Sequence, residues 1–313
     1  LLLEQHMGSE FISFKDKLFN DTALATQIPY SDRENQMETY TDCVAMNAGW
    51  VWNIPLWHRV GTGYVYSSDY INECEAEIEF RKYLSERYTP EIAKDAKMRH
   101  INIRHGKREK GWVKNVVGIG LSFGFLEPLE STGLMTTHEN ILWLCDTLQS
   151  RQGFVSRWSI DAYNYTVDNM IEAMKNFITQ HYAMSMRDDN QYWRDCTEVD
   201  FTLDQMWQQS TRVAHNNIYE LFDSPEKAFY NYEGQSGSIY ILAGLGYRPI
   251  SEGLFNEKAC DETHELLEEI HAKYQQDRKI MSDWVETLPS HYEYLRDNIY
   301  GTDEYLQKEE TMG

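Results

Sequence analysis

The sequence predicts an α+β protein in which a mixed sheet is followed by a mainly helical part. Two observations predict the sheet. Gly49–Pro55 (GWVWNIP) is rich in aromatic and β-branched residues, and Val116–Phe125 (VVGIGLSFGF) has no charged residue in ten. A third observation predicts the helices: beyond Gly133, apolar residues recur at helical spacing over long segments. The change occurs near residues 125–133, which read FLEPLESTG.

The predicted strands rest on alternation and on turn residues. Gly61–Ser68 (GTGYVYSS) alternates after glycines and is interpreted as the hairpin partner of Gly49–Pro55, in which Pro55 ends the strand. Trp112–Gly120 has the continuous apolar character of a strand covered on both faces. Further strand-like segments are Asp21–Pro29 and Ile101–Arg104, and Ser31–Asp42 is a polar loop.

Helical periodicity predicts the remaining elements. Glu73–Glu86 is a helix whose apolar side carries Ile78, Tyr83 and Leu84. The later predicted helices are His138–Gln149, Ile160–Tyr182, Leu203–Leu221, Phe229–Ala243 and His264–Thr287. We therefore predict a sheet-containing module over residues 1–132 and a helical module over residues 133–313.

Charge and cysteine content narrow the class of protein. The 313 residues carry a formal net charge of −21, which disfavours nucleic acid and anionic membranes as partners. No apolar run approaches the roughly 18 residues of a membrane span. Five cysteines without CxxC spacing predict a reducing, cytoplasmic location and no metal site. The opening LLLEQHMGSEF is not a signal peptide, and we interpret the chain as a fragment of a longer sequence.

The segment FLEPLESTG combines groups that suit an anion site. Pro128 ends the strand, Ser131 and Thr132 are good N-cap residues, and Gly133 allows a ligand to approach the backbone. The start of a helix attracts small anions, and a glutamate in an apolar setting can serve as a base. On these nine residues alone, solvated glutamates and a simple helix cap are the favoured alternative.

A family resemblance changes that balance. GWVWNIP and FLEPLESTG together resemble the flavin-dependent halogenases of the tryptophan-halogenase family, which carry Trp-x-Trp-x-Ile-Pro and Glu-Pro-Leu-Glu-Ser-Thr-Gly in this order. The resemblance spans nearly the whole chain. Further matching segments are GTGYVYSS, GWVKNVVGIGLS (111–122), LAGLG (242–246) and TLPSHYEYLR (287–296).

The resemblance implies halogenation of an electron-rich aromatic compound. Reduced flavin adenine dinucleotide (FADH2), supplied by a separate flavin reductase, would act with O2 and chloride, bromide or iodide to give hypohalous acid. That acid would reach a catalytic lysine beside a small aromatic substrate. By the same resemblance, residues 1–132 are the C-terminal part of an FAD-binding α/β module and residues 133–313 are the substrate-binding module. Whether the protein forms a homo-oligomer is left open.

The matched motifs also imply roles for individual residues. Glu130 lies beside the substrate and helps to activate or deprotonate it, Ser131 is next to the lysine, and the amides of Thr132 and Gly133 bind the halide. The resemblance also implies roles near the flavin for two leucines and two tryptophans. Leu121 and Leu134 contact the flavin, and Trp50 and Trp52 keep the substrate away from it.

Two departures from the family pattern are visible. The Gly-x-Gly-x-x-Gly turn and the catalytic lysine of the family are not found, so activity is expected to need upstream sequence. Leu221–Ser238 lacks the residues that grip the amino-acid part of tryptophan, so free tryptophan is disfavoured. In that stretch Phe222 and Tyr232 are the predicted substrate contacts.

Two segments and the overall function have alternative interpretations. His264–His271 (HELLEEIH) could ligate a metal, but a solvated acidic helix face fits its spacing better. Arg104–Lys110 (RHGKREK) is predicted to be an exposed turn with solvated charges. A flavin-dependent aromatic hydroxylase would not need halide-binding amides. A truncated or degenerate family member, inactive alone, is the non-enzyme alternative.

Overall fold

The computed structural model describes residues 2–150, 153–201, 241, 244–246 and 257–301. Within these ranges the chain is a mixed α/β protein, which confirms the predicted fold class. The strands are β1 Phe11–Ser13, β2 Thr22–Ile28, β3 Asp42–Ala45, β4 Gly49–Leu56, β5 Arg59–Tyr66, β6 Arg99–Asn102, β7 Gly106–Arg108, β8 Trp112–Val113, β9 Val116–Val117 and β10 Gly124–Phe125. The helices are α1 Leu2–Met7, α2 Arg33–Gln36, α3 Glu73–Arg87, α4 Pro90–Asp95, α5 Thr132–Ser150, α6 Arg157–Ala183, α7 Gln191–Thr197, α8 Glu257–Thr287 and α9 His291–Leu295.

The strands form three sheets. The largest has five strands in the order β3-β4-β5-β2-β6, and β6 runs antiparallel to β2 with Thr22 opposite Asn102. The second sheet has the order β1-β7-β10, and β8 pairs only with β9. The predicted hairpin is present, because β4 and β5 are neighbours joined by two residues. Strand β4 ends at Leu56, one residue beyond the predicted end at Pro55.

The chain divides into two compact units that interleave along the sequence. The first contains residues 1–26, 43–52 and 62–247, and the second contains residues 27–42, 53–61 and 248–313. In the first unit, strand ends and helices α5 to α7 share one core that includes Trp50, Tyr163 and Ile178. In the second, the Trp57 ring stacks on Tyr300 with centroids 4.5 Å apart. The module boundary at residue 132/133 stays a prediction.

Helix α3 buries a different side from the one that was predicted. Its buried residues are Ala76, Phe80 and Leu84, which lie four residues apart, whereas Ile78 is 69% exposed. Ile78 is two positions from both Ala76 and Phe80, so it falls on the far side of a 3.6-residue turn. Leu84 alone of the three predicted side chains is fully buried.

The predicted strand Trp112–Gly120 is not one continuous strand. Lys114 adopts a positive φ of 55°, and the chain reverses there so that β8 and β9 pair with each other. A 3-10 turn follows at Gly120–Ser122. A Cβ on Gly120, whose φ is 58°, would lie 2.6 Å from the Thr137 hydroxyl oxygen. The segment is therefore a short β8–β9 hairpin followed by a 3-10 turn that approaches α5, and not a strand covered on both faces.

The basic stretch at Arg104–Lys110 is not a solvated turn, and that prediction was wrong. His105, Lys107 and Arg108 are buried, and two of these residues lie in β7. The Lys107 ammonium contacts Asp168 and, at 2.6 Å, Glu172 of α6. Arg108 pairs with Glu4. The charged side chains of Lys107 and Arg108 can be buried because carboxylates from other elements neutralise them.

Candidate active site

The backbone of FLEPLESTG is held in an unusual conformation. Residues Leu129–Ser131 form a 3-10 turn that leads directly into α5 at Thr132. Within the turn Glu130 and Ser131 have φ angles of 63° and 53°, in the left-handed region that residues with a Cβ seldom adopt. The Ser131 N–H donates to the Pro128 carbonyl at 2.9 Å. Strain of this kind persists only where the surrounding structure enforces it, and it clusters at functional sites.

The first turn of α5 presents backbone amides next to this strained turn. The N–H groups of Thr132 and Gly133 belong to the first helical turn, which has no intrahelical acceptors for its N–H groups. A Cβ built on Gly133 would meet only the Phe125 ring, at 3.7 Å, so the backbone there can be approached closely. The helix start therefore has the electrostatic and steric properties of a small-anion site.

Glu130 is anchored by a histidine from another helix. Its carboxylate Oε1 lies 3.0 Å from His181 Nε2 near the end of α6. The other ring nitrogen, Nδ1, lies 2.9 Å from the Phe177 carbonyl oxygen. The Glu130 side chain remains 38% exposed. The His181 hydrogen bond holds the pKa of Glu130 below its usual value of 4.5, so this carboxylate is ionised at neutral pH.

Glu127, three residues earlier, has the opposite environment. It is 1% exposed and accepts hydrogen bonds from three neutral donors. Asn20 Nδ2 donates to Oε2 at 3.2 Å, Trp50 Nε1 donates to Oε1 at 3.2 Å, and the Tyr182 hydroxyl also donates to Oε1. Burial raises the pKa of Glu127 to about 7, although these hydrogen bonds oppose the shift.

The two predicted tryptophans lie together in β4. Their ring centroids are 6.1 Å apart, as expected for residues two apart on one face of a strand. Trp50 is buried and reaches Glu127, so β4 is tied to the FLEPLESTG segment. Trp52 fits over Gly63, where any Cβ would come within 2.2 Å of the indole.

The two predicted flavin contacts are exposed leucines on adjoining elements. Leu121 is 75% exposed and Leu134 is 85% exposed. The turn that carries Leu121 is fastened to α5, because the Gly120 N–H donates to Asn140 Oδ1 at 3.2 Å. Leu134 lies in the first turn of the same helix. The structure therefore places both apolar side chains in solvent near the start of α5.

Several residues of the site were not predicted from the sequence. His181, Tyr182 and Asn20 had no assigned role, although Ile160–Tyr182 was predicted as a helix and the observed α6 is Arg157–Ala183. The adjacent His and Tyr at its end carry no recognisable motif. The predicted substrate contacts Phe222 and Tyr232 lie outside the described residues.

Comparison with known proteins decides the family. Residues 1–258 match the tryptophan halogenase family. The chain belongs to the tryptophan halogenase family. The relatives include 7-chloro-L-tryptophan 6-halogenase KtzR of Kutzneria sp. (strain 744), 33% identical over 94% of this chain and 54% of the relative. Another is tryptophan 6-halogenase SttH of Streptomyces toxytricini, 36% identical over 94% of this chain and 53% of the relative.

Solved structures give the same assignment for this halogenase-family chain. The apo structure of VirX1 is 43% identical, covers 96% of this chain and 57% of that protein, and superposes with a TM-score of 0.78. The crystal structure of SttH superposes with a TM-score of 0.73 at 33% identity, covering 94% of this chain and 56% of that one. The chain thus spans about half the length of the relatives that it matches. Among its described helices, none is long and apolar enough to cross a membrane.

Proposed function

We propose that the protein containing this chain halogenates a carbon of an electron-rich aromatic ring. One observation carries the proposal: Glu130, ionised and held by His181, lies in a strained turn that runs directly into the first turn of α5. This turn places a carboxylate base close in sequence to amides that can bind a halide. Family membership supplies the reaction class.

In the proposed reaction, each residue of the turn has a separate role. The amides of Thr132 and Gly133 hold the halide. Ser131 lies next to the catalytic lysine that the resemblance implies. Glu130 orients the substrate ring. When the ring carbon has bonded to the halogen, its hydrogen leaves as a proton, which the Glu130 carboxylate accepts. The aromatic product therefore carries halogen in place of hydrogen.

The chain provides surfaces that fit a bound flavin. Leu121 and Leu134 offer exposed apolar side chains for a flat apolar ring, and Gly133 leaves the approach to the α5 amides open. Reduced FAD, delivered by a separate flavin reductase, would supply two electrons to O2, so that one oxygen atom oxidises the halide to hypohalous acid and the other leaves as water. Trp50 and Trp52 form the wall that separates this region from the substrate.

The relatives favour an indole as the substrate ring. KtzR and SttH are named for chlorinated or free tryptophan as substrate. Leu221–Ser238 lacks the residues that bind the amino-acid part of free tryptophan in the family. The sequence therefore favours an indole or another electron-rich ring that is not part of free tryptophan. We place the substrate-binding module at residues 133–313, the C-terminal part of the flavin module at residues 1–132, and the protein in the cytoplasm.

Replacing Glu130 with Gln tests the assignment. In the complete natural polypeptide, the change should lower the turnover of an indole substrate by about 100-fold or more, because it removes the proton acceptor. Flavin binding, measured by fluorescence quenching, should stay within a factor of two of the wild type. Glu86→Gln, an exposed change in α3, is the matched control and should leave turnover unaltered. Equal turnover in Glu130→Gln and wild type would remove Glu130 from the mechanism.

Product mass separates the competing functions. Reactions with FADH2, O2 and either bromide or no halide are analysed by mass spectrometry. A halogenase gives a brominated product only with bromide, whereas a hydroxylase gives an oxygenated product in both reactions. A degenerate family member gives neither product while still binding flavin.

A further inference from the structure

The last turn of α6 holds both glutamates of the Glu-Pro-Leu-Glu segment. His181 contacts Glu130, and the next residue, Tyr182, donates its hydroxyl to Glu127. Consecutive residues of a helix point about 100° apart, so a single helix end reaches two carboxylates that lie three positions apart. Asn20 joins the second contact by donating to the Tyr182 hydroxyl oxygen at 2.9 Å.

Both ring nitrogens of His181 face hydrogen-bond acceptors. The Phe177 carbonyl oxygen and the ionised Glu130 carboxylate can only accept hydrogen bonds. A neutral imidazole has one N–H and satisfies one of them, whereas the imidazolium has two and satisfies both. The ring is 13% exposed, and Phe177 packs against its face or edge at 5.0 Å with an interplanar angle of 77°. Little freedom is left for the ring to turn away.

Glu130 needs such a partner because of its backbone. The left-handed conformation at Glu130 and Ser131 is costly for residues with a Cβ. A carboxylate that is more than one-third exposed would otherwise rotate among several solvated positions. The bond to a nearly buried ring confines it to one position.

We propose that His181 is a positioning residue of the reaction: its imidazolium holds the Glu130 carboxylate in one position, aimed at the substrate ring. This rests on the proposed function. His181 does not touch the reacting atoms and acts only through Glu130. Tyr182 holds the other glutamate of the Glu-Pro-Leu-Glu segment, Glu127. Helix α6 therefore contacts the strained turn and its flanking residue at two points.

The first test observes the ion pair without any turnover. In the complete polypeptide with 15N-labelled histidine, the His181 ring should show both nitrogens in the protonated chemical-shift range at pH 7. In Glu130→Gln the Nε2 signal should move toward the range of a neutral ring, because the carboxylate is gone. A neutral His181 in the wild type would overturn the proposal. Since no substrate is used, this result does not depend on the proposed function.

The second test asks whether the pair matters for the reaction. His181→Gln keeps an N–H at the reach of Nε2, whereas His181→Phe keeps the ring but has no donor. We expect kcat to fall about 10-fold in the first variant and about 100-fold in the second, with the KM for substrate within a factor of three. His271→Gln on α8, an exposed histidine, is the control. Urea midpoints of all variants report whether they are folded.

The outcomes separate two failures. Equal losses in His181→Gln and His181→Phe, or no loss in either, would show that His181 does not position Glu130. If the wild type and every variant bind flavin but form no halogenated product, the proposed function fails, and the 15N spectra alone decide the state of the pair.

Discussion

At the scale of single residues, two glutamates three positions apart have opposite properties. Glu130 is partly exposed, paired with a histidine and has a lowered pKa. Glu127 is fully enclosed by neutral donors, and its pKa is raised. Their identical side chains differ because the hydrogen bond from His181 dominates at Glu130, whereas the loss of hydration on burial dominates at Glu127. Only the first is suited to remain a charged base in the proposed reaction.

Glu127 gives a pH dependence to stability whose sign follows from its pKa. The pKa is about 7 in the folded protein against 4.5 for an ordinary glutamate, so between these values the folded state binds more protons. Its contribution to the free energy of unfolding is therefore greatest below pH 4.5 and falls as pH rises to about 7, by about 3 kcal/mol.

Glu127→Gln has no proton to exchange, and this fall should be absent from the variant. Urea unfolding of the wild type and the variant at pH 5 and pH 8 measures the difference. The free energy of unfolding of the wild type relative to Glu127→Gln should be larger at pH 5. Glu130→Gln, where the pKa is lowered, should not show that trend. A wild-type advantage that grows toward pH 8 would contradict the raised pKa.

At the scale of elements, local rules account for where helices begin. Helix α3 starts with a capping box: Asn72 accepts from the Glu75 N–H at 3.0 Å, and the Glu75 side chain accepts from the Asn72 N–H. The same pairing of side chain and backbone occurs at Ser290 and Glu293 before α9. Such caps satisfy amides that the helix itself cannot satisfy.

Removing the cap of α3 should have a measurable cost. Asn72→Ala should lower the free energy of unfolding by about 0.5–2 kcal/mol, because amides of the first turn lose their acceptor. The shift in the urea midpoint at constant m-value measures it. Lys82→Ala, on the exposed side of the same helix, should change stability by less than about 0.5 kcal/mol. Equal shifts in the two variants would argue against the cap.

At the scale of the whole molecule, charges inside the first unit join elements far apart in sequence. Lys107 lies in β7, whereas its partners Asp168 and Glu172 lie in α6. The same helix carries His181 and Tyr182 at its end. Helix α6 is thus connected to a sheet by an ion-pair cluster and to the proposed active site by two hydrogen-bonding residues. A shift of α6 would therefore disturb both the sheet contact and the proposed active site.

The ion-pair cluster predicts a contrast between two nearby lysines. Lys107→Met should lower the free energy of unfolding by about 2–3 kcal/mol, since the carboxylates of α6 lose a buried counter-ion. Lys110→Met, where the lysine is exposed and pairs with the exposed Glu109, should cost less than about 1 kcal/mol. Urea midpoints of the two variants provide the measurement. If both variants lose the same stability, the cluster does not contribute as argued.

The sequence by itself determined the fold class, the helix predicted at Glu73–Glu86 and observed at Glu73–Arg87, the hairpin β4–β5 and the motif that carries Glu130. These features depend on periodicity, turn residues and short motifs, which are local. The break at Lys114 in the predicted strand Trp112–Gly120 was missed, because continuous apolar character does not reveal a reversal of the chain. The burial of Lys107 could not be predicted, because it depends on partners distant in sequence. Glu127 was noticed within the motif, but only its neighbours Asn20, Trp50 and Tyr182 make it a buried acid.

The tertiary structure alone decided which glutamate is charged and how it is held. Helix α6 starts 27 residues after Glu130, and His181 is 51 residues away from it along the chain. No local pattern connects positions so far apart. A pKa depends on hydration and on charges within a few ångströms, and these exist only once the chain has packed. The motif therefore specifies the reacting group, whereas packing specifies its chemical state.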